Sequence, residues 1–168
     1  MPFLSKQLFT RKSSLPSGGQ GLFTRKTISK GERIIEYKGR VTTWKDVNHR
    51  EGKNGYIYYI NRNHVLDAFT YKRALGRYAN DARGLGRIKG IRNNAIYKNV
   101  GLKVYIDAIE DIPAGSEILV GYGNEYWDAI RHNRKKSVAP KRTKTSTGAG
   151  SRSKVRKTRP QARELSHK

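Results

Sequence analysis

The feature that most limits how this chain can fold is a series of strand-like runs of three to six residues, each closed off by a turn signal. Asn54-Gly55 opens Tyr56-Ile57-Tyr58-Tyr59-Ile60, and Asn61-Arg62-Asn63 separates that run from His64-Val65-Leu66-Asp67-Ala68. Ser17-Gly18-Gly19-Gln20-Gly21 precedes Leu22-Phe23-Thr24, and Ser29-Lys30-Gly31-Glu32 precedes Arg33-Ile34-Ile35-Glu36-Tyr37. Residues Asn93 to Lys98 and Val104 to Ile109 read as a further strand pair, and Pro113-Ala114-Gly115 turns into Glu117-Ile118-Leu119-Val120. Aromatic and β-branched residues suit a pleated, half-buried surface, so the pattern predicts a mainly β domain of short strands in small sheets. Helical signals are few: Trp44 to Arg50, Ala74 to Tyr78, and Glu125 to Asn133. Pattern alone leads to an irregular sandwich or a partly open barrel.

Charge divides the chain. Its 168 residues carry a net charge of +23. Through Ile130 there are 22 basic and 12 acidic residues, whereas Arg131 to Lys168 holds 14 basic residues and only Glu164 as an acid. From Ser137 onward there is no aromatic residue, so the segment lacks the apolar surface needed to offset the entropy of ordering it. The expected division is an N-terminal extension over 1–16, one domain over 17–130, and a disordered Lys/Arg-rich tail over 131–168. Such a tail seeks polyanions, nucleic acid foremost. Arg134-Lys135-Lys136 and Lys141-Arg142 fit a nuclear address. With no cysteine in the chain, disulfides, cysteine-bound zinc and thiol catalysis are excluded. Neither a secretory signal nor a membrane span is legible, so the expectation is an intracellular protein with no membrane partner. His49, His64, His132 and His167 show no ligand spacing, and no metal site is expected.

Four motifs occur in a fixed order. The first is Gly19-Gln20-Gly21-Leu22-Phe23 followed by Lys30-Gly31-Glu32 and Tyr37-Lys38-Gly39. It is not the dinucleotide fingerprint, because no helix follows. The second is Tyr56-Ile57-Tyr58-Tyr59-Ile60 with Asp67-Ala68. Alternation places Tyr56 and Tyr58 on one face and Tyr59 on the other, and either face could be the one that lines a site. The third is Gly76-Arg77-Tyr78-Ala79-Asn80-Asp81-Ala82 with Asn93-Asn94-Ala95, and the fourth runs from Ile106 through Glu117-Ile118-Leu119-Val120-Gly121-Tyr122-Gly123 to Glu125-Tyr126-Trp127. Together they resemble the SET domain of protein-lysine methyltransferases, and the last is similar to the close of its PR/SET subgroup. There are departures from the third signature: Asp81 stands where the family usually has His, Ala82 where it has Ser, and Arg83 where it has Cys, with an insert from Arg83 to Arg92.

The resemblance implies a SET fold with a knot-like crossing between the Asn80 segment and the final strand, and S-adenosylmethionine as cofactor. It further implies methyl transfer to a lysine of a basic, histone-like protein. On it, Gly19, Gln20, Gly21, Leu22, Tyr78, Asn80, Asp81, Tyr122 and Trp127 would contact the cofactor. Tyr122 would be the central catalytic tyrosine, with Tyr58 or Tyr59 beside it, and Tyr58, Tyr59, Tyr122 and Tyr126 would line the lysine channel. The cysteine-zinc cap of many members is absent, so Trp127 would close the cofactor pocket, or a homodimer would complete it. The location would be nuclear or chromatin-bound in a eukaryotic or viral setting and cytoplasmic or nucleoid-bound in a bacterium. The competing function is a non-catalytic nucleic-acid- or chromatin-binding protein acting through the basic tail. The tail is also similar to a histone tail in composition, which makes Lys141, Lys144, Lys154 and Lys157 candidate acceptors of the methyl group.

Overall fold

A computed structural model describes residues 4–138 apart from 17, 51–53 and 85. The tail expected to be disordered lies, beyond residue 138, outside the described residues. Among the described residues, eight strands form three small antiparallel sheets: β1 (Leu8–Lys12) pairs with β2 (Gln20–Thr24), β3 (Arg33–Glu36), β8 (Lys103–Ala108) and β7 (Ala95–Val100) follow in that spatial order, and β4 (Arg40–Thr42), β6 (His64–Asp67) and β5 (Ile57–Asn61) make the third. 3-10 turns at Leu4–Gln7 and Leu75–Tyr78 and the helix α1 (Asn124–Val138) complete the scaffold among the described residues. The mainly β architecture matches the turn-punctuated pattern.

Three differences have physical causes. Residues expected to be an extension supply β1: Leu8 is buried and Phe9 packs on Phe23 at 5.7 Å, which binds the segment to β2. The Trp44 to Arg50 helix is absent. One turn closes there, Val47 N–H donating to the Thr43 carbonyl and the Thr43 hydroxyl to Asp46, and Trp44 packs on Tyr59 instead. Helix α1 crosses the boundary expected at Ile130 and continues to Val138.

Glu117 to Val120 joins no ladder. It bridges β2 at Phe23, then lies parallel to Asn80 and to Ala95. Ile118, Leu119 and Val120 are all buried, so this segment is interior on both sides. Asn94 holds it in place, donating to the Glu117 carbonyl (2.8 Å) and accepting from Leu119 N–H (2.9 Å). The Asn80 segment and the closing segment thus run side by side, where the crossing was expected.

The main core gathers Leu22, Ile28, Ile34, Ile106, Ile112 and Ile118, and a second cluster gathers Tyr37, Tyr58, Leu66 and Val104. Tyr97 packs against both clusters. The site lies at that junction.

Candidate active site

Two cavities meet at a wall of tyrosines. The smaller, of about 30 Å³, is lined by Tyr37, Ile57, Tyr58, Arg77, Tyr97, Tyr122 and Tyr126 together with Gly55. The larger, of about 480 Å³, is a cleft bounded by the Gly18 to Gln20 loop, Tyr78, Asn80 and Asp81, and on its far side by Trp127 and Ile130. Gly55, Arg77, Tyr122 and Tyr126 border both. A water needs roughly 10–15 Å³ by this measure of volume. The small cavity therefore admits a slender unbranched chain, while the cleft admits a ligand of several rings.

Each wall follows from local structure. β5 presents Tyr58 inward, its hydroxyl donating to Asn99 (2.9 Å) on β7. Tyr37, at the end of β3, donates to the Tyr56 carbonyl (2.9 Å) and meets Tyr97 edge-on at 5.6 Å. Tyr122 follows the closing segment. Its hydroxyl donates to the Ala79 carbonyl at 2.7 Å, its ring stacks on Trp127 at 5.9 Å, and Tyr126 abuts it edge-on at 5.0 Å. Burial pushes the phenols of Tyr122 and Tyr97 well above their usual range and raises Tyr37 and Tyr58 as well. Tyr126 is pushed up to about 12, again by burial. All five hydroxyls therefore stay protonated at neutral pH, so none serves as a ready base.

Loop geometry shapes the cleft. Gly19 has φ +61°, a left-handed conformation that favours glycine. A Cβ on Gly21 would stand 2.2 Å from Glu117 Oε1, so a larger residue there would push the Glu117 carboxylate off its hydrogen bonds. Asn80 donates to the Gln20 carbonyl and to Glu117 Oε1, both at 3.1 Å, and so fixes the loop against the closing segment.

Among the residues singled out in the sequence, Gly19, Gln20, Tyr78, Asn80, Asp81, Tyr122, Tyr126 and Trp127 border the cleft, and Tyr58 borders the small cavity. Three do not reach either cavity. Tyr59 takes the opposite face of β5 and packs on Trp44 at 5.3 Å. Leu22 is fully buried in the main core, and Gly21 faces Glu117. Motif reading missed Tyr37 and Tyr97, which arrive from the β3-β8-β7 sheet, and it missed Arg77. The Arg77 guanidinium is buried, lies over the Tyr56 ring at 4.0 Å, and leaves Nε without a hydrogen-bond partner. Its signal was in plain view, as the cation within the Gly76 to Ala82 motif.

The sequence matches the SET domain family over residues 19–123, more than half of the chain. The chain belongs to the SET-domain family. It is 30% identical over 131 residues, 73% of its length, to the histone-lysine N-methyltransferase EZH2 of Chaetomium thermophilum, of which it spans 8%. Among solved structures, the SET fold is shared with the methyltransferase domain of human PR domain-containing protein 2. That match has a TM-score of 0.54, 23% identity, and coverage of 74% of this chain and 80% of that one. Polycomb Repressive Complex 2 also aligns: a humanized mutant of the Chaetomium thermophilum complex bound to the inhibitor GSK126 gives TM-score 0.55, 29% identity, and coverage of 70% and 15%. An autoinhibited form of that complex bound to S-adenosylmethionine gives TM-score 0.56, 25% identity, and coverage of 76% and 17%.

Proposed function

We propose that this SET domain is an S-adenosylmethionine-dependent protein-lysine N-methyltransferase acting on a basic, histone-like protein tail. The observation that carries the reading is the meeting of a slender tyrosine-walled cavity and a large cleft at Tyr122, Tyr126 and Arg77.

The cleft fits the cofactor. Its aromatic side, Trp127, Tyr78 and Tyr56, suits stacking, and the Arg77 guanidinium offers an unpartnered buried N–H to a carboxylate. Bound S-adenosylmethionine supplies an electrophilic methyl group on a sulfonium sulfur. The residues of this chain then have three tasks. The tyrosine walls admit the lysine side chain and hold its nitrogen in line, a geometry worth several kcal/mol as pre-organisation (roughly 7–11 in the best oriented reactions). They also strip the ammonium of water, which drives its pKa down from about 10.4. Tyr122 spends its O–H on the Ala79 carbonyl, so its lone pairs remain for an amine N–H. It orients the nucleophile and does not take its proton. The proton leaves toward solvent before transfer, because only the neutral amine carries the lone pair that attacks.

The histone-like substrate and a chromatin setting rest on the likeness to EZH2 and on the basic tail, which suits nucleic-acid anchoring. The test is calorimetric titration with S-adenosylmethionine together with transfer of labelled methyl to core histones. Saturable binding, weakened on the order of 10- to 100-fold in Arg77→Met by loss of a charge-assisted pair, supports the reading. No binding and no transfer would leave a basic binding module.

A further inference from the structure

Asp81 is the chain's main departure from the SET signature, and its surroundings give it a different task from cofactor contact. The side chain is buried and its carboxylate accepts four hydrogen bonds. Oδ1 takes Arg83 N–H at 2.7 Å and Asn93 Nδ2 at 2.9 Å. Oδ2 takes Tyr122 N–H at 2.8 Å and Trp127 Nε1 at 2.7 Å. A carboxylate offers about four lone-pair sites, and all are in use. None remains for the ammonium of a bound cofactor.

The four donors come from separate parts of the chain: the insert after Asp81, the approach to β7, the backbone of Tyr122, and the first turn of α1. Oδ2 alone joins the proposed catalytic tyrosine to the indole that walls the cleft. Those two rings stack at an interplanar angle of 13°, so one oxygen fixes the backbone of the tyrosine and the indole that lies on its ring. An imidazole here could accept at only one nitrogen and would strand the other donors. The choice of Asp in this chain is therefore tied to the whole set of four donors, the Trp127 N–H among them.

We infer that Asp81 is a positioning residue, an anionic clamp that holds Tyr122 and Trp127 in register across the junction of the two cavities. The inference rests on the methyltransferase reading above. It also predicts that His, the residue usual in the family, would not substitute for Asp81 in this chain.

The test uses the full chain in a Trp44→Phe background, so that Trp127 is the sole indole. Asp81→Asn, Asp81→His and Trp127→Phe (the last with Trp44 retained) are compared for kcat, for the S-adenosylmethionine Kd by calorimetry, and, in the Asp81 variants, for Trp127 emission. A clamp gives a kcat loss on the order of 10- to 100-fold, the scale expected when a reacting group is displaced by about an ångström. Trp127 emission moves to the red in both Asp81 variants, while Kd rises no further than it does in Trp127→Phe, because the carboxylate acts on the ligand only through the indole. A Kd raised more than tenfold with unchanged emission would mean direct cofactor contact and overturn the clamp. Lower thermal stability with kcat, Kd and emission unchanged would overturn it as well. If the Asp81 variants fail to fold, Trp127→Phe decides, because it removes one donor and leaves the carboxylate: undiminished kcat sinks the proposal. If the wild type transfers no methyl group, the failure belongs to the methyltransferase reading, and the emission arm still judges the clamp.

Discussion

Glu117 offers the sharpest test of how the site is held together. It is buried, and its carboxylate accepts from Ser13 Oγ at 2.7 Å and Asn80 Nδ2 at 3.1 Å on Oε1, and from Ser14 N–H at 2.9 Å and Ser14 Oγ at 2.5 Å on Oε2. It thereby ties the β1–β2 loop to the Asn80 segment. That loop continues into Leu15 and Pro16, which border the cleft. In Glu117→Ala the two serine hydroxyls can rotate toward water, since Ser14 is exposed and Ser13 half-buried. The Ser14 N–H and the Asn80 N–H that faced the carboxylate lose their partner, Asn80 keeping its other N–H on the Gln20 carbonyl. Two stranded donors at about 1–3 kcal/mol each give a loss of about 2–6 kcal/mol. For a domain of this size 1 kcal/mol shifts Tm by about 4 °C, so the melting point should fall by about 8–24 °C. Glu117→Gln keeps one acceptor oxygen and should lose about half as much. Thermal unfolding followed by circular dichroism reads both. A Glu117→Ala shift below about 2 °C would refute the idea that this carboxylate braces the cleft, because it would place the stranded amides below the usual cost of burial.

Further outcomes follow from the same geometry. Tyr37, Tyr58, Tyr97, Tyr122 and Tyr126 all have raised phenol pKa values through burial, so the unfolded chain releases these protons first as pH rises. Stability is then fully present below pH about 10 and falls above it, by up to about 1.4 kcal/mol per pH unit for each tyrosine; denaturant titrations at pH 9 and pH 11 giving equal stability would contradict this. The neutral phenol is also the working form of Tyr122, so kcat should show no descending limb from this group below pH 10, and a limb near pH 8 that vanishes in Tyr122→Phe would refute that protonation state. If tail lysines of the same chain are methylated, chain reach selects among them. Helix α1 carries Val138 about 18 Å along its axis from Tyr126, and the three further residues to Lys141 can span at most about 11 Å. Mass spectrometry after incubation at high dilution should then find methyl groups on Lys144, Lys154 or Lys157 before Lys141, and label confined to Lys141 would exclude modification within one chain.

Much of this was legible in the sequence, and the gaps are instructive. Tyr122, Tyr126 and Trp127 border the cleft from one contiguous motif, where spacing fixes their relation, and Asn80 joins them from another motif through the parallel bridge to Leu119. Tyr37 and Tyr97 meet at 5.6 Å although they stand far apart in sequence, and only the β3-β8-β7 register brings them together. The Tyr58 and Tyr59 ambiguity could not be resolved by alternation, since both faces of β5 pack: one against the tyrosine cluster, the other against Trp44. The run from Glu117 to Val120 resembles a ladder strand by composition. Its neighbours are single bridges, because burial on both sides makes a strand and a threaded segment look alike in an apolar pattern. β1 escaped notice for the opposite reason. Its Arg11 and Lys12 are exposed, and the apolar contacts that would betray it, Leu8 in the core and Phe9 on Phe23, occupy only one end.

The central claim is that Tyr122 orients a lysine nitrogen at the junction of two cavities. The most direct measurement is transfer of labelled methyl from S-adenosylmethionine to core histones by the wild type and by Tyr122→Phe, with cofactor Kd measured in parallel. The account predicts label on a histone with the wild type. It predicts loss on the order of 100-fold or more in the variant, as for removal of a group that orients the nucleophile, with cofactor binding largely retained. Equal transfer by both proteins would contradict it, since the hydroxyl would then have no part in the reaction.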